Sequence, residues 1–219
     1  MLVTKIERQK RDPHRVNLFI DGEFAFGLQD EVLLRSGIRK GDRLSDKELE
    51  TIQASGEFAL AKRQALRILA RRLRSEAEIR THLLEKEFHP QTVDRVVLKL
   101  RELRLVDDLR FARAFVHDMR LRRALGRIAL ERHLRLKGVP RSTILEVLGE
   151  TGGREDDASI ALRAVTKLLE RYARSRKKLL PEQQRSRAIQ FLARRGFDGE
   201  TISAVIARAT RGDNGSHHF

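Results

Sequence analysis

Cysteine and tryptophan are absent from this chain of 219 residues. The absence of cysteine excludes a disulfide framework, a thiolate zinc site and a thiol nucleophile, and it is typical of a reducing compartment. No apolar run is long enough to span a membrane, and residues 1–10 lack the apolar core of a signal peptide. We therefore expect a monomeric protein of the cytoplasm without a membrane partner.

Signatures of catalysis are also missing. No glycine-rich loop is followed by lysine, no serine lies in a nucleophile elbow, and the histidines lack the spacing of metal ligands. Asp107-Asp108 could be a metal-binding pair, but Asp156-Asp157 repeats it at an equivalent place. Helix capping explains both pairs better. We expect no catalytic residue, no metal and no cofactor.

Positive charge is abundant and unevenly distributed. The chain has 46 basic and 31 acidic residues, a net charge of +15. Residues 1–59 carry 10 basic and 11 acidic side chains, so the whole excess, +16, lies in residues 60–219. A solvated surface of mixed charge would sum to about zero. A one-sided excess rich in arginine indicates a surface that binds phosphates.

The first part of the chain has the pattern of a small sheet. Apolar residues alternate over Val16–Ile20 and again over Phe24–Leu28, and Asp21-Gly22 between them is a strong hairpin signal. The segment Val3–Glu7 is a candidate third strand. A short helix is predicted over Gln29–Ser36, and a capping box of Ser45 and Glu48 begins another helix.

From about residue 57 the apolar period is helical, and the sequence repeats. Leu60-Ala61, Ser75, Lys86-Glu87-Phe88 and other positions recur 51 residues later, for example at Phe111-Ala112 and Gly126. A third copy includes Arg195-Gly196-Phe197. Each copy has the punctuation of three helices. Because such a unit buries little alone, we expect stacked units that share a core.

The predicted fold is therefore mainly α: an elongated array of tandem three-helix repeats after a small N-terminal β-hairpin region. The hairpin and short helices occupy residues 1–56, and the repeats occupy 57–107, 108–150 and 151–211. Residues 212–219 are predicted to form a flexible tail.

Basic residues gather at equivalent places in the repeats. Three or four stand at the end of each first helix, before Ser75, Gly126 and Pro181. A helix dipole needs only one, so these groups predict contacts with DNA or a protein–DNA filament. The candidates there are Arg71, Arg72, Arg74, Arg120, Arg122, Arg123, Arg174, Arg176, Lys177 and Lys178. Candidates on or beside second helices are Arg127, Arg132, Arg135, Lys137, Arg194 and Arg195. Phe111 and Phe191 fall on apolar periods, so they are predicted in the core, and base stacking is weakly supported.

Three segments carry a resemblance to a known family: SEAEIRTHLLEKEF (75–88), LVDDLRFA (105–112) and GRIALERHLRLKGV (126–139). In this order they resemble the RecX family, bacterial modulators of the RecA recombinase, over residues 55–210. Glu87 and Arg104 depart from the pattern, because they stand where glycine is expected at a helix end. The resemblance implies a non-catalytic protein that binds the RecA–DNA filament and restrains its ATPase and strand exchange. Those activities belong to DNA recombination, DNA repair and the SOS response.

Two other functions fit parts of the pattern. A sequence-specific helix-turn-helix regulator would need a recognition helix that reaches base edges and a dimer that spaces two half-sites. A nucleic-acid enzyme would need clustered acidic metal ligands. The favoured partners are the RecA filament and DNA, single- or double-stranded, bound without sequence specificity.

Overall fold

Helices predominate in the computed structural model, which describes residues 1–10, 12–150, 153–175 and 180–213. The chain divides into two units, Met1–Val106 and Asp107–Phe219. The first unit contains the strands β1 (Val3–Arg8), β2 (Arg15–Ile20) and β3 (Glu23–Gln29) and the helices α1 (Asp30–Ser36), α2 (Asp46–Leu69), α3 (Glu76–Leu84) and α4 (Pro90–Glu102). The second contains α5 (Asp108–Arg123), α6 (Arg127–Leu136), α7 (Arg141–Glu150), α8 (Gly153–Ala173), α9 (Pro181–Arg194) and α10 (Gly199–Asp213).

The N-terminal sheet is antiparallel, with the strand order β1-β2-β3. Asp21 and Gly22 form the predicted turn between β2 and β3 with φ values of 50° and 92°, the left-handed region that a two-residue hairpin turn requires. The inward residues of β2 pack on α1 and α2 and form a separate small core with Val3, Leu28, Ile38 and Ile52. The predicted third strand and the short helix are both confirmed.

Helix α2 begins at the predicted capping box and continues without a break to Leu69. The predicted boundary at residue 56 therefore falls inside a helix. Gly56 does not interrupt α2, because its backbone lies against the sheet: a Cβ there would stand 2.5 Å from Leu28 Cδ2. The missing side chain allows α2 to pack closely on β3.

Three groups of three helices follow the predicted repeats, and each group has a core of its own. The core of the first group comes from α2, α3 and α4 and includes Leu83 and Val96. The second comes from α5, α6 and α7 and includes Leu130 and Leu134. The third comes from α8, α9 and α10 and includes Leu192. The mainly α fold of three-helix repeats is confirmed, but the second and third repeats do not share a core.

Several helix ends match their sequence signals. The Asp107 carboxylate accepts hydrogen bonds from the backbone N–H groups of Leu109 and Arg110 at 2.8 and 3.0 Å, so it caps α5 as predicted. Glu87 and Arg104, which replace glycines of the family pattern, have φ values of 61° and 54°. Both residues therefore have left-handed backbone, which costs about 1 kcal/mol for each residue other than glycine.

The prediction that Asp156 and Asp157 cap the first helix of the third repeat is wrong. Helix α8 begins at Gly153, so both residues lie inside it. Asp157 caps a different helix: its Oδ2 accepts a hydrogen bond from the backbone N–H of Arg127, in the first turn of α6, at 3.0 Å. The repeated Asp-Asp pair therefore has different roles in the two repeats.

Backbone groups join the second repeat to the third. The N–H of Gly126 donates to the Arg195 carbonyl at 2.8 Å, and the N–H of Ile128 donates to the Gly196 carbonyl at 3.0 Å. These bonds satisfy donors at the start of α6 that have no partner within the helix. A Cβ on Gly126 would lie 2.6 Å from the Gly196 oxygen. The two backbone segments therefore approach so closely that position 126 has no room for a side chain.

We expect Gly196→Ala to lower the free energy of unfolding by more than about 2 kcal/mol. Gly196 has a φ of 77°, and an added Cβ would stand 2.3 Å from the backbone nitrogen of Ala129, so the variant is strained in conformation and in contact. Urea denaturation measures the change. Gly149→Ala is the matched control, because no atom of the described residues lies within 4 Å of its Cβ position. In that helical position alanine should stabilise by about 0.5–1 kcal/mol. Equal stability of the two variants would contradict the tight junction.

Candidate nucleic-acid interface

A basic cleft of about 410 Å³ lies among α5, α8 and α9 in the second unit. Its floor is apolar and includes Ile160, Ala164 and Leu168, which are buried. Among the described residues no acidic side chain lines it. The cations that line it are Arg120, Arg122, Arg123, Arg163, Lys167, Arg171 and Arg195.

Helix α8 supplies three of these cations at regular spacing. Arg163, Lys167 and Arg171 are four residues apart, so they follow one face of the helix at intervals of about 6 Å. All three are exposed. Within the described part of the chain, none of them has a carboxylate at ion-pair distance. We call these three residues the α8 ladder.

Arg120 has a structural position at the edge of the cleft. Its Nη2 donates to Asp157 Oδ1 at 2.7 Å, and its Nη1 lies 3.5 Å from Asp156 Oδ2. The side chains of Arg120 and Asp157 are only 13% and 6% exposed. Burial raises the pKa of Asp157, while the N–H of Arg127 and the charge of Arg120 act in the opposite direction. The pair joins the last turn of α5 to α8 at the edge of the cleft.

Arg195, the residue that follows the end of α9, lines the cleft beside that helix. Its guanidinium lies over the ring of Phe191, with 4.2 Å from Cζ to the ring centroid. Burial lowers the pKa of Arg195 from its ordinary value. No carboxylate among the described residues pairs with it. Phe191 packs against the core of the third repeat, as its apolar period predicts, but it is only partly buried and also lines the cleft. Phe111 is buried, as predicted.

The end of α5 places two further predicted cations at the cleft. Arg122 pairs with Asp118 at 2.5 Å and stays largely exposed. Arg123 is the last residue of α5. It is exposed and has no ion pair with any described residue. With Arg120 and Arg195, four of the predicted site residues therefore converge on one cleft.

The predicted cations of the first repeat lie just after α2. Arg71 is exposed, whereas Arg72 donates to both oxygens of Glu78, at 3.2 and 3.0 Å. Arg74 is half-buried, and its Nε has no hydrogen-bond partner among the described residues. Arg71 is thus the most accessible cation of this group.

The remaining predicted residues do not line the cleft. Arg127 donates to the Leu148 carbonyl at 2.8 Å, Arg135 pairs with Glu131 at 2.7 Å, and Lys137 is half-buried. Arg132 and Arg194 are exposed. Arg174 lies 3.9 Å from Glu170. Three of the predicted residues, Arg176, Lys177 and Lys178, are outside the described residues.

The α8 ladder was not among the predicted site residues, although the sequence contains its signal. Basic residues at intervals of four mark one face of a helix, and Arg63, Arg67 and Arg71 repeat this spacing at the equivalent positions of α2. In the first repeat Arg63 lies 3.4 Å from Asp12. The helical period of four marks both ladders in the sequence, whereas short runs of basic residues mark neither complete set.

Comparison with known proteins decides the family. The chain matches the regulatory protein RecX N-terminal domain over residues 1–45 and the first, second and third RecX three-helix domains over 61–100, 107–148 and 161–206. It is 34% identical over 204 residues to regulatory protein RecX of Bacillus subtilis (strain 168), covering 93% of this chain and 75% of that protein. The chain belongs to the RecX family.

Further comparisons agree with this assignment. The RecX-family chain is 30% identical over 212 residues to regulatory protein RecX of Listeria monocytogenes serovar 1/2a, covering 96% and 76% of the two proteins. A crystal structure of regulatory protein RecX has a TM-score of 0.68 and 28% identity, over 93% of this chain and 98% of that one. RecX from Lactobacillus salivarius, at 20% identity and a TM-score of 0.63 over 72% and 99%, shares the fold.

The described residues of this RecX-family chain include no helix long and apolar enough to cross a membrane. They also include no group of three or more His, Asp or Glu side chains arranged to hold a metal ion.

Proposed function

We propose that this protein regulates the RecA recombinase by binding the RecA–DNA filament, and DNA itself, through its basic surfaces. In this role it restrains filament ATP hydrolysis and strand exchange and hydrolyses no nucleotide itself. Membership in a family of regulatory proteins supports the proposal. The observation that carries it is a cleft with seven cations and no acidic side chain among its described lining residues, in which five of the cations have no ion pair with any described residue.

The chemistry of the cleft favours phosphate over other anions. Arginine presents a planar fork of donors that fits two phosphate oxygens at once. Contacts of this kind carry no sequence information, so the protein should bind DNA of any sequence. Three repeats also give several weak contacts, each of which raises the effective concentration of the next. Neighbouring subunits held in this way resist the motions of their catalytic cycle.

The experiment is a titration of the protein into RecA that hydrolyses ATP on single-stranded DNA. We expect inhibition that deepens with added protein and no ATP hydrolysis by the protein alone. Binding to DNA should fall about a thousandfold between 50 and 200 mM salt, as expected for roughly 6 phosphate contacts.

Three outcomes would contradict the proposal. Unchanged RecA turnover would refute regulation of the filament. A footprint confined to one duplex sequence would favour the helix-turn-helix alternative instead. Nucleotide or DNA turnover by the purified protein would indicate an enzyme.

A further inference from the structure

The side chains that line the α5–α8–α9 cleft are either hydrogen-bond donors or apolar. The six arginines and one lysine supply only donors, and the other described residues of the lining have no polar side chain. The floor is buried and apolar, and Leu121 at the rim is 76% exposed. A ligand that fills this cleft must offer acceptors on one side and a flat or apolar surface on the other.

We propose that this cleft is a site for a nucleotide unit of single-stranded nucleic acid, with phosphates on the α8 ladder and an unpaired base over the floor. The inference rests on the proposed function and specifies the strand form that the protein recognises. A volume of about 410 Å³ is within the range of preformed pockets for small ligands. A ladder about 12 Å long can face more than one phosphate of the same strand.

Double-stranded DNA fits this cleft poorly. Its bases are stacked and paired inside the helix, so its outer surface offers phosphates and sugars to the cations but nothing to the apolar floor. Only a strand with unstacked bases can place a base there. The floor should therefore add affinity for single strands, whereas the cations serve both forms.

A peptide also fits less well. An acidic peptide presents carboxylates, but its backbone brings one N–H donor with each residue other than proline. The lining side chains offer no acceptor to these donors, and each donor left unpaired on burial costs about 1–3 kcal/mol. The backbone of a nucleic acid has phosphate acceptors and no such donors.

Arg195 is the residue that distinguishes a base from a phosphate. Its guanidinium is backed by Phe191 at 4.2 Å, which holds the plane in one orientation. Bases stack on aromatic rings and on arginine planes. Lysine in this position keeps the charge but has no plane. The Arg195 carbonyl, which accepts the hydrogen bond from Gly126, is a backbone group and is unaffected by the substitution.

The test compares Arg195→Lys with Arg187→Lys on the full chain, with oligo(dT) and a duplex of equal total charge at one salt concentration. We expect wild type to prefer oligo(dT). Arg195→Lys should bind oligo(dT) about 5- to 10-fold more weakly, as for the loss of one stacked base, with duplex affinity unchanged. Arg187→Lys should match wild type because Arg187 is exposed, does not line the cleft and is not one of the predicted contact residues. Equal thermal stability of the variants confirms that neither change disturbs the fold.

Each other outcome has a definite meaning. If Arg195→Lys weakens oligo(dT) and duplex equally, or weakens neither, the single-strand site is refuted. Thymidine monophosphate at about 1 mM should leave oligo(dT) bound, and its displacement would show that free nucleotide is the ligand and overturn the strand assignment. The same preparations are titrated into RecA turning over ATP. If the protein inhibits RecA but does not prefer oligo(dT) over duplex, only the single-strand site is refuted. If it prefers oligo(dT) but does not inhibit RecA, only the proposed function is refuted.

Discussion

Replacing the whole α8 ladder, Arg163, Lys167 and Arg171, by glutamate is expected to weaken DNA binding by about 100-fold or more at about 100 mM salt. The three side chains are exposed and have no ion pair with any described residue, so their charges are available to phosphates. Each charge-assisted contact contributes about 1 kcal/mol, and a loss of about 3 kcal/mol corresponds to about 100-fold in affinity. The slope of log affinity against log salt should fall by about 2–3. Fluorescence anisotropy over a salt series measures both quantities.

The matched control is Arg39, Lys40 and Arg43 replaced together by glutamate. These side chains are exposed and lie in the segment without a basic excess, and the change in net charge is the same. We expect at most a few-fold loss of affinity, through long-range repulsion that salt screens. If both triple variants lose affinity equally, net charge governs binding and the cleft has no special part in it.

The Asp157→Ala variant should lose about 3–5 kcal/mol of stability, the usual cost of breaking a buried ion pair from one side. The change removes the main partner of Arg120, which is 13% exposed, and leaves the backbone N–H of Arg127 without its acceptor. Urea denaturation of the full chain measures the loss. Because the pair joins α5 to α8, the cleft should also lose its fixed width.

The neighbouring change Asp156→Ala is the control. Asp156 lies 3.5 Å from Arg120, but its side chain is 56% exposed, and exposed pairs contribute about 1 kcal/mol or less. The double variant Arg120→Met with Asp157→Ala tests the pair directly, since removing both charges should cost less than the sum of the single changes. Equal losses for Asp156→Ala and Asp157→Ala would show that the buried pair is not what holds α5 to α8.

Local signals in the sequence were enough to predict most of the fold. The Asp21-Gly22 turn, the Asp107 cap and the helix that begins at Pro181 all depend on neighbouring residues, and the structure has each of them. Glu87, which stands where the family pattern has glycine, has left-handed backbone with a φ of 61°. The elongated arrangement of the repeats, the residue boundaries of the domains and the contact residues stay predictions.

The errors arose where distant residues decide the outcome. Asp157 matches a capping position in the repeat alignment, but its partners Arg120 and Arg127 are 37 and 30 residues away. The cleft likewise depends on three helices meeting, which no single segment reveals. The sequence predicts that Arg120 contacts DNA together with Arg122 and Arg123. The ion pair of Arg120 with Asp157 gives it a structural role, and its contact with DNA stays a prediction. The predicted shared core likewise differs from the structure, in which the second and third repeats have separate buried clusters and are joined by backbone hydrogen bonds at Gly126 and Ile128.

The most direct test is sedimentation of the protein with RecA filaments assembled on single-stranded DNA, beside the same DNA without RecA at the same salt. We expect wild type to sediment with the filament. The variant with glutamate at all three positions of the α8 ladder should stay largely in the supernatant. The Arg39, Lys40 and Arg43 control should sediment like wild type. If wild type binds the bare DNA but is absent from the filament pellet, the proposed binding to the RecA–DNA filament is wrong.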